Sequence, residues 1–245
     1  MNSLTTRYRI HTSDVDIRKR YKAFSFMSQT QEIANYHASE IGFGYQDLIK
    51  NNVVWVLSRM RARFLNAPMW EDEVDLTTWH KGREGVFSFR DFELTSAAGG
   101  PVLVQATSSW LLIDTESRRM LRPDHILGDK SITTALDRDA IAEHCGKLAA
   151  PKGMEKARTR EVLFSDVDFN GHTNNAKYVE WAFDTLDPQL LTAMTLDEYQ
   201  INFNHETRLG DMVEIFRADT GDGSWFLEGR SQDKSVFQMT VRLKP

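Results

Sequence analysis

Residues 13–16 read Ser-Asp-Val-Asp, and the same four residues recur at positions 165–168. A match this short arises by chance, so the elements around the two copies must decide whether the chain is duplicated. The first copy is followed by helical periodicity over residues 28–41, with Gly42 where a glycine ends a helix, and by a short helical turn at 45–50. Alternating apolar and polar residues then predict strands over residues 53–64, 73–81, 86–95 and 102–113.

The second copy lies within the same order of elements. A strand is predicted over residues 159–164 and a helix over residues 174–186. Further strands are predicted over residues 198–207, 212–220, 224–231 and 235–243. The repeated order of strand, helix and antiparallel strands predicts an α+β fold made by internal duplication, in which each sheet wraps one long helix. We expect the two sheets to pair edge to edge, because this pairing covers edge strands that otherwise invite aggregation.

The segment between the repeats has a different character. Residues 124–153 are polar and favour helix over strand, and they end at Pro151-Lys-Gly153. We therefore predict an N-terminal domain at residues 1–123, a connector at 124–153 and a C-terminal domain at 154–245.

Composition excludes several classes of protein. The 245 residues include 30 Lys and Arg against 35 Asp and Glu, a net charge of −5, whereas nucleic-acid binders usually carry a basic surplus. The single cysteine, Cys145, excludes an internal disulfide and fits a reducing compartment. No apolar run is long enough to span a membrane, and the N-terminus lacks the apolar core of a signal peptide. We expect a cytoplasmic protein.

The densest polar cluster reads Asp166-Val-Asp168-Phe-Asn170-Gly171-His172-Thr-Asn174-Asn175, between a strand end and a helix start. A capping and turn network explains these residue types. A functional site explains them equally well, because the N–H groups at a helix N-terminus suit an oxyanion. The opening also resembles a calcium-binding loop, but position twelve is Lys177 where calcium requires a glutamate, so calcium is not predicted.

The string from Asp168 to Asn175 resembles the signature of the acyl-acyl carrier protein thioesterases of plants and bacteria. The resemblance covers nearly the whole chain: the two-half order, the connector and this motif. It implies two tandem hotdog domains, each an antiparallel sheet wrapped around one long helix. It also implies hydrolysis of the thioester between a fatty acyl chain and the phosphopantetheine arm of an acyl carrier protein, with no metal ion or cofactor.

Carried over by position, the resemblance implies a catalytic triplet of Asp168, Asn170 and His172, with Glu206 as a further acid on a later strand. Plant members have a cysteine after this acid, whereas Thr207 follows it here. A cysteine nucleophile is therefore excluded, and water activated by a general base is the simpler mechanism. Glu206 or His172 would be the base, and that choice stays open.

The remaining residues of the motif would support this reaction. Asn170 would position the water or the carbonyl group, and Asp168 would orient His172 or Asn170. The backbone N–H groups of Gly171 and His172 would form the oxyanion hole. Asn174 and Asn175 would support the loop.

The first half differs at the matching positions. Alignment of the Ser-Asp-Val-Asp copies puts Arg18 and Arg20 where the second half has Asn170 and His172, so the chemistry would occur once per chain. The first half would then hold the acyl chain in an apolar cavity. We also expect one of the basic clusters around Arg20, Arg61 or Arg118 to dock the acidic carrier protein, and a homodimer stays open.

Other activities remain compatible with the sequence. An acyl-CoA thioesterase would act on the same pantetheine arm. A hotdog dehydratase or hydratase would pair a histidine with an acid, and a non-catalytic acyl-binding protein would keep the fold without the reaction.

Overall fold

A computed structural model gives the structure of residues 2–128 and 133–245. The helices of this part are α1 (Ala23–Glu40), α2 (Tyr45–Leu48), α3 (Pro123–Leu127), α4 (Asn175–Phe183) and α5 (Pro188–Ala193). The strands are β1 (Ser3–Arg9), β2 (Val53–Phe64), β3 (Glu73–Glu84), β4 (Phe87–Ser96), β5 (Val102–Asp114), β6 (Met120–Leu121), β7 (Glu155–Glu161), β8 (Thr195–Phe203), β9 (Met212–Gly221), β10 (Ser224–Ser231) and β11 (Lys234–Lys244). Single 3-10 turns occur at Thr12–Asp14, Ile49–Asn51 and Phe164–Asp166.

The described strands form one continuous sheet in the order β1-β3-β4-β5-β2-β8-β11-β10-β9-β7, and β6 pairs with β5. Each half contributes its own antiparallel strands. The halves meet where β2 pairs with β8, in a register that places Met60 opposite Ile201 and Ala62 opposite Tyr199. The predicted edge-to-edge pairing is confirmed.

The long helix α1 packs against both the sheet and α4. Its buried residues recur at helical spacing, among them Phe26, Ile33 and His37, because one face of the helix covers the inner side of the sheet. Gly42 ends the helix with a φ of +81°, a left-handed conformation that glycine adopts without a steric penalty. His37 is a core histidine, with its Nδ1 2.8 Å from Nη1 of Arg90.

The turn that precedes each long helix has the same hydrogen bonds in both halves. Each is closed by a backbone N–H of an aspartate: Asp16 donates to the Arg20 carbonyl at 2.9 Å, and Asp168 donates to the His172 carbonyl at 2.9 Å. The left-handed residue of the first turn is Lys19, and that of the second is Gly171. The duplication predicted from the repeated order of elements therefore extends to the backbone hydrogen bonds of the two turns.

In the described residues of the connector, helix is confined to α3 and Thr133, and residues 129–132 lie outside the described part. From residue 135 onward it runs without helix or strand across the face of the sheet opposite α1. Buried side chains bind its backbone: Lys81 donates to the Ile141 carbonyl at 2.7 Å and Arg59 donates to the Cys145 carbonyl at 2.8 Å. Gln200 of β8 donates to the Gly146 carbonyl at 2.8 Å, so the connector spans both halves. The prediction that the connector favours helix was wrong from residue 135 onward, because these long-range hydrogen bonds, rather than local propensity, determine the path.

Several predicted boundaries also shift. The helix predicted from residue 28 begins at Ala23, and the strand predicted at 159–164 is Glu155–Glu161. The helix predicted at 174–186 is α4, Asn175–Phe183, and the short helix α5 that follows it was not predicted. None of the described helices is both long enough and apolar enough to cross a membrane.

Candidate active site

The polar string begins in a turn that is anchored by a buried carboxylate. Asp166 is 1% exposed, and its Oδ2 accepts the N–H of Leu163 at 2.9 Å. Its carbonyl accepts the N–H of Asn174 at 2.8 Å, so one residue joins the end of β7 to the start of α4. Arg160 and Lys177 lie 3.6 and 3.8 Å from the second carboxylate oxygen. This part of the string is a structural network.

The two asparagines that follow have separate structural tasks. Asn174 is the N-cap of α4, with its Oδ1 accepting the N–H of Ala176 at 2.9 Å. Asn175 donates from Nδ2 to Oε1 of Gln31 on α1 at 3.0 Å, which ties the two long helices together. The capping interpretation is correct for Asn174. The side chains of both asparagines attach the end of the loop to helices.

Asp168 acts on the loop through the backbone. Its Oδ1 accepts the N–H of Asn170 at 2.9 Å. No described contact joins its carboxylate to the imidazole of His172, so the expected orientation of that ring by Asp168 is indirect. The side chain of Asn170 is exposed at the tip of the turn, where it faces solvent.

His172 and Glu206 come together from separate elements. Nε2 of His172 lies 3.2 Å from Oε2 of Glu206. A carboxylate can only accept, so a ring with its hydrogen on Nε2 can donate to Glu206 and has Nδ1 as its lone-pair nitrogen. The side chains are 21% and 35% exposed, which leaves both within reach of water.

A buried hydrogen-bond cluster holds Glu206 beside His172. The next residue, Thr207, accepts the N–H of Thr173 on its carbonyl at 2.9 Å and places its Oγ1 2.9 Å from the hydroxyl of Tyr178. Burial raises the pKa of Tyr178, which keeps that phenol protonated. Glu206 itself lies after β8, which ends at Phe203, so the prediction that it sits on a strand was wrong.

Thr207 therefore has a structural role at the position where plant members carry a cysteine. The single cysteine of the chain is Cys145, whose Sγ lies 3.7 Å from the Thr107 carbonyl under the connector. Burial raises the pKa of the Cys145 thiol to about 12. Its place in the connector and its protonation both exclude it as the nucleophile of this site.

Two arginines of the site were not recognised as such from the sequence. Nη2 of Arg118 lies 2.7 Å from Oε2 of Glu206, although the residues are far apart in the chain and belong to different halves. Nη2 of Arg208 lies 3.4 Å from Nε2 of His172 and adds a positive charge beside the ring. Arg118 stood out only as part of a basic cluster, and no local pattern connects it with Glu206.

The other basic clusters are engaged within the fold. Arg20 donates to the Leu191 and Met194 carbonyls at 2.6 Å, and Arg18 donates to the Thr192 carbonyl at 2.8 Å. Arg61 donates to Oε1 of Gln200 at 2.9 Å. Both clusters stabilise contacts between the halves.

The turn leaves only one of the two N–H groups predicted for the oxyanion hole available. The N–H of Gly171 donates to the Asp168 carbonyl at 3.0 Å, so it is engaged in closing the turn, and the prediction that Gly171 donates to an oxyanion is not supported. Within residues 2–128 and 133–245, the N–H of His172 has no hydrogen-bond partner. The His172 backbone thus remains the available donor of the two.

The arrangement resembles a general-base site. An imidazole and a carboxylate meet beside an exposed amide, with an available backbone donor on the same turn. Asp168 and Asn174 line a separate shallow groove of about 270 Å³ between the starts of α1 and α4, and neither His172 nor Glu206 lines it. The described residues hold no group of three His, Cys, Asp or Glu side chains that could bind a metal ion.

Comparison with known proteins decides the family. The profile of the acyl-ACP thioesterase N-terminal domain matches residues 1–127, and that of the acyl-ACP thioesterase C-terminal domain matches residues 150–244. The chain belongs to the acyl-ACP thioesterase family. The resemblance seen in the polar string is confirmed.

Curated members of the acyl-ACP thioesterase family match over almost the entire chain. Identity to the chloroplastic oleoyl-acyl carrier protein thioesterase 2 of Arabidopsis thaliana is 24%, over 98% of this chain and 72% of that protein. Identity to the chloroplastic acyl-[acyl-carrier-protein] hydrolase FATB3 of Cuphea viscosissima is 22%, over 99% of this chain and 59% of that protein.

Solved structures of family members share the architecture. A crystal structure of an acyl-ACP thioesterase from Bacteroides thetaiotaomicron superposes with a TM-score of 0.90 at 22% identity, covering 99% of this chain and 98% of that chain. The 12:0-ACP thioesterase from Umbellularia californica gives a TM-score of 0.86 at 21% identity, covering 100% and 98%. The α+β hotdog fold is confirmed.

Proposed function

We propose that this chain hydrolyses the thioester of a fatty acyl-acyl carrier protein to free fatty acid and holo-carrier. The observation that carries the proposal is the 3.2 Å contact between His172 and Glu206, which remains open to water in a chain of the acyl-ACP thioesterase family. A carboxylate and an imidazole in contact are the usual components of a general base.

The proposed reaction begins with water held between the base and the thioester. A lone pair of the water oxygen attacks the carbonyl carbon while the base accepts the proton. The resulting oxyanion accepts a hydrogen bond from the backbone N–H of His172. Collapse of the tetrahedral intermediate then breaks the C–S bond. The departing sulfur takes the proton back from the base, which leaves a free thiol and a fatty acid.

Two atoms are candidates for the base. Oε2 of Glu206 accepts from Arg118 and lies 3.2 Å from Nε2 of His172, so we infer that Oε1 is the oxygen that receives the water proton. Nδ1 of His172 is the alternative, with Glu206 orienting the ring through Nε2. Asn170 would hold the water or the thioester carbonyl from the tip of the turn, and Asp168 would fix that tip through the Asn170 backbone.

We further propose the domain division at residues 1–123, 124–153 and 154–245, with the acyl chain held by the first half. Phe169, beside the site, packs edge-on against Tyr45 of α2 with ring centroids 5.5 Å apart. The same helix contributes Leu48 to an apolar cluster of the first half, which also contains Phe43 and Leu112. We infer that the acyl chain would pass along these apolar residues from the site into that half.

The proposed partner is an acidic acyl carrier protein. The guanidinium of Arg118 is engaged with Glu206, whereas Arg122 is exposed and would attract the carrier in addition to its contact with Asp124 at 3.0 Å. The proposed compartment is the cytoplasm, because the single cysteine is buried as a free thiol.

The test is release of free thiol from matched acyl carrier protein and acyl-CoA thioesters of several chain lengths. Wild type should act on the carrier-linked esters with the higher kcat/KM, and Glu206→Gln should lose about 10²–10⁴-fold in rate. Glu161→Gln, an exposed glutamate on the edge strand β7, is the matched control and should retain activity.

Each alternative has its own outcome in this assay. A higher kcat/KM on the CoA ester would indicate that acyl-CoA, rather than the acyl carrier protein ester, is the substrate. No thiol from any ester, with turnover of 3-hydroxyacyl or enoyl thioesters, would favour a dehydratase or hydratase. An acyl ligand that binds without turnover would identify a binding protein.

A further inference from the structure

The carboxylate of Glu206 is held from both halves of the molecule. Oε2 accepts from Nη2 of Arg118 at 2.7 Å and lies 3.2 Å from Nε2 of His172. Arg118 belongs to the turn between β5 and β6, in the first half, whereas His172 and Glu206 belong to the second half. Without Arg118, the described contact of this carboxylate would come from the second half alone.

Hydrogen bonds to Asp114 hold the turn that carries Arg118. Oδ1 of Asp114 accepts the N–H of Ser117 at 2.7 Å and its hydroxyl at 2.8 Å. The N–H of Arg118 donates to the Asp114 carbonyl at 2.9 Å, and Arg118 adopts a left-handed φ of +58°. Hydrogen bonding to Ser117 holds the pKa of Asp114 below its usual range, so the acceptor stays ionised.

The first half alone fixes the position of this turn. The N–H of Thr115 donates to the Asn52 carbonyl at 2.8 Å, and Nδ2 of Asn52 donates to Oε1 of Glu116 at 2.9 Å. β6 pairs with β5 immediately after the turn, through Met120 and Ile113. The guanidinium therefore approaches Glu206 from a fixed support.

Glu206, in contrast, lies on a segment whose hydrogen bonds hold the backbone rather than the carboxylate. Residues 204–211 have no helix or strand, and the side chain of Glu206 is 35% exposed. Only the neighbouring Thr207 is buried, and its contacts fix the backbone rather than the carboxylate. The charge-assisted hydrogen bond of 2.7 Å from Arg118 favours the carboxylate orientation in which Oε2 also lies beside His172.

We propose that Arg118 is a positioning residue for the hydrolytic reaction, which holds the Glu206 carboxylate in contact with His172 from the opposite half of the molecule. This inference rests on the proposed thioesterase function. It makes the reacting geometry depend on the register between the two halves, although the motif residues all come from the second half.

A docking role is the competing explanation, because an exposed arginine also suits an acidic carrier. The choice of substrate distinguishes the two roles. An acyl thioester of N-acetylcysteamine has neither the phosphate nor the carrier protein, so docking cannot affect its hydrolysis. Positioning of Glu206 affects hydrolysis of every thioester, because it acts on the base.

The experiment compares Arg118→Gln, Arg118→Lys and Glu206→Gln with the double variant Arg118→Gln/Glu206→Gln, on the N-acetylcysteamine thioester and on the carrier-linked ester. Arg119→Gln is the matched control, since Arg119 is the adjacent exposed arginine and has no described contact with Glu206. Far-ultraviolet circular dichroism and the urea midpoint check that each variant is folded.

Arg118→Gln should lower kcat about 10–100-fold on both substrates with KM within about twofold of wild type, because misplacement of a base affects the chemical step. Arg118→Lys should recover part of the rate, and Arg119→Gln should stay within about twofold on the small thioester. The effect of Arg118→Gln should vanish in the Glu206→Gln background, because Arg118 acts through Glu206.

Other results overturn the inference. An unchanged kcat on the small thioester, a rise in KM confined to the carrier-linked ester, or an undiminished loss in the Glu206→Gln background would each refute the positioning role. Wild type that releases no thiol from either ester would refute the proposed function and the inference together. Active wild type with a fully active Arg118→Gln would refute the inference alone.

Discussion

The turn at Asp14–Lys22 and the turn at Asp166–Asn174 have equivalent backbone hydrogen bonds and opposite uses. In the first, Arg20 and Arg18 reach the carbonyl groups at the end of α5, where positive charge is favourable beside a helix C-terminus. In the second, the corresponding His172 and Asn170 remain beside Glu206 and solvent. The two turns therefore place these side chains alike, and the residue types distinguish the hydrogen bonds of the first turn to α5 from the proposed reactive site of the second.

Giving the second turn the residues of the first is the strongest test of this comparison. Asn170→Arg/His172→Arg should lower thioester hydrolysis at least about 10²-fold, because the imidazole is lost while the main-chain hydrogen bonds are kept. The urea midpoint should stay close to that of wild type. A variant that keeps its rate would show that the chemistry lies outside this turn.

Removal of the hydrogen bonds from Arg18 and Arg20 to the end of α5 should lower stability and leave activity unchanged. Arg20→Gln removes hydrogen bonds to two carbonyl groups and should lower the free energy of unfolding by about 1.5–3 kcal/mol. Arg18→Gln, which removes one exposed hydrogen bond, should cost less. Urea titration measures both, and equal costs for the two variants would contradict the larger contribution assigned to Arg20.

Loss of the more buried aspartate, Asp166, should lower stability more than loss of the equivalent Asp14. Asp166→Asn leaves Arg160 and Lys177 without a buried counter-charge and should cost about 1–3 kcal/mol. Asp14→Asn, at a less buried site, should cost less than about 1 kcal/mol. Thermal unfolding at pH 7 checks the order, and a larger loss for Asp14→Asn would reverse it.

A small effect is expected at Gly171, the left-handed residue of the second turn. Gly171 has a φ of +77°, and an added Cβ would meet no heavy atom within 4 Å, so Gly171→Ala should cost about 1 kcal/mol from backbone strain alone. Gly146→Ala, at an equally open site without a positive φ, should be close to neutral. Chemical denaturation of the two variants isolates the backbone contribution.

Local patterns determined much of the fold. Strands β2 and β10 occupy the residues that alternation predicted, because each pairs along its whole length within one half. The start of α1 was misplaced because Lys22 caps it with no side-chain hydrogen bond, and its N–H instead donates to the Asp14 carbonyl in the preceding turn. A tertiary contact of this kind leaves no signal in the sequence of the helix.

The residues of the candidate site also differ in whether a local sequence pattern could identify them. Asp168, Asn170 and His172 could be found because they lie within one short string, and Glu206 could be matched from the family resemblance. Arg118 could not be assigned to the site, because only the packing of the two halves brings it to Glu206. The roles of all these residues remain predictions until the variants are measured.

The connector has a consequence for how such a site can arise. Two identical subunits related by a twofold axis carry every substitution twice, so a change that improves one turn is imposed on the other. A single polypeptide that crosses from one half to the other removes this constraint. Each copy of the turn can then change independently, so one side of the molecule can become a rigid joint while the other keeps its chemistry.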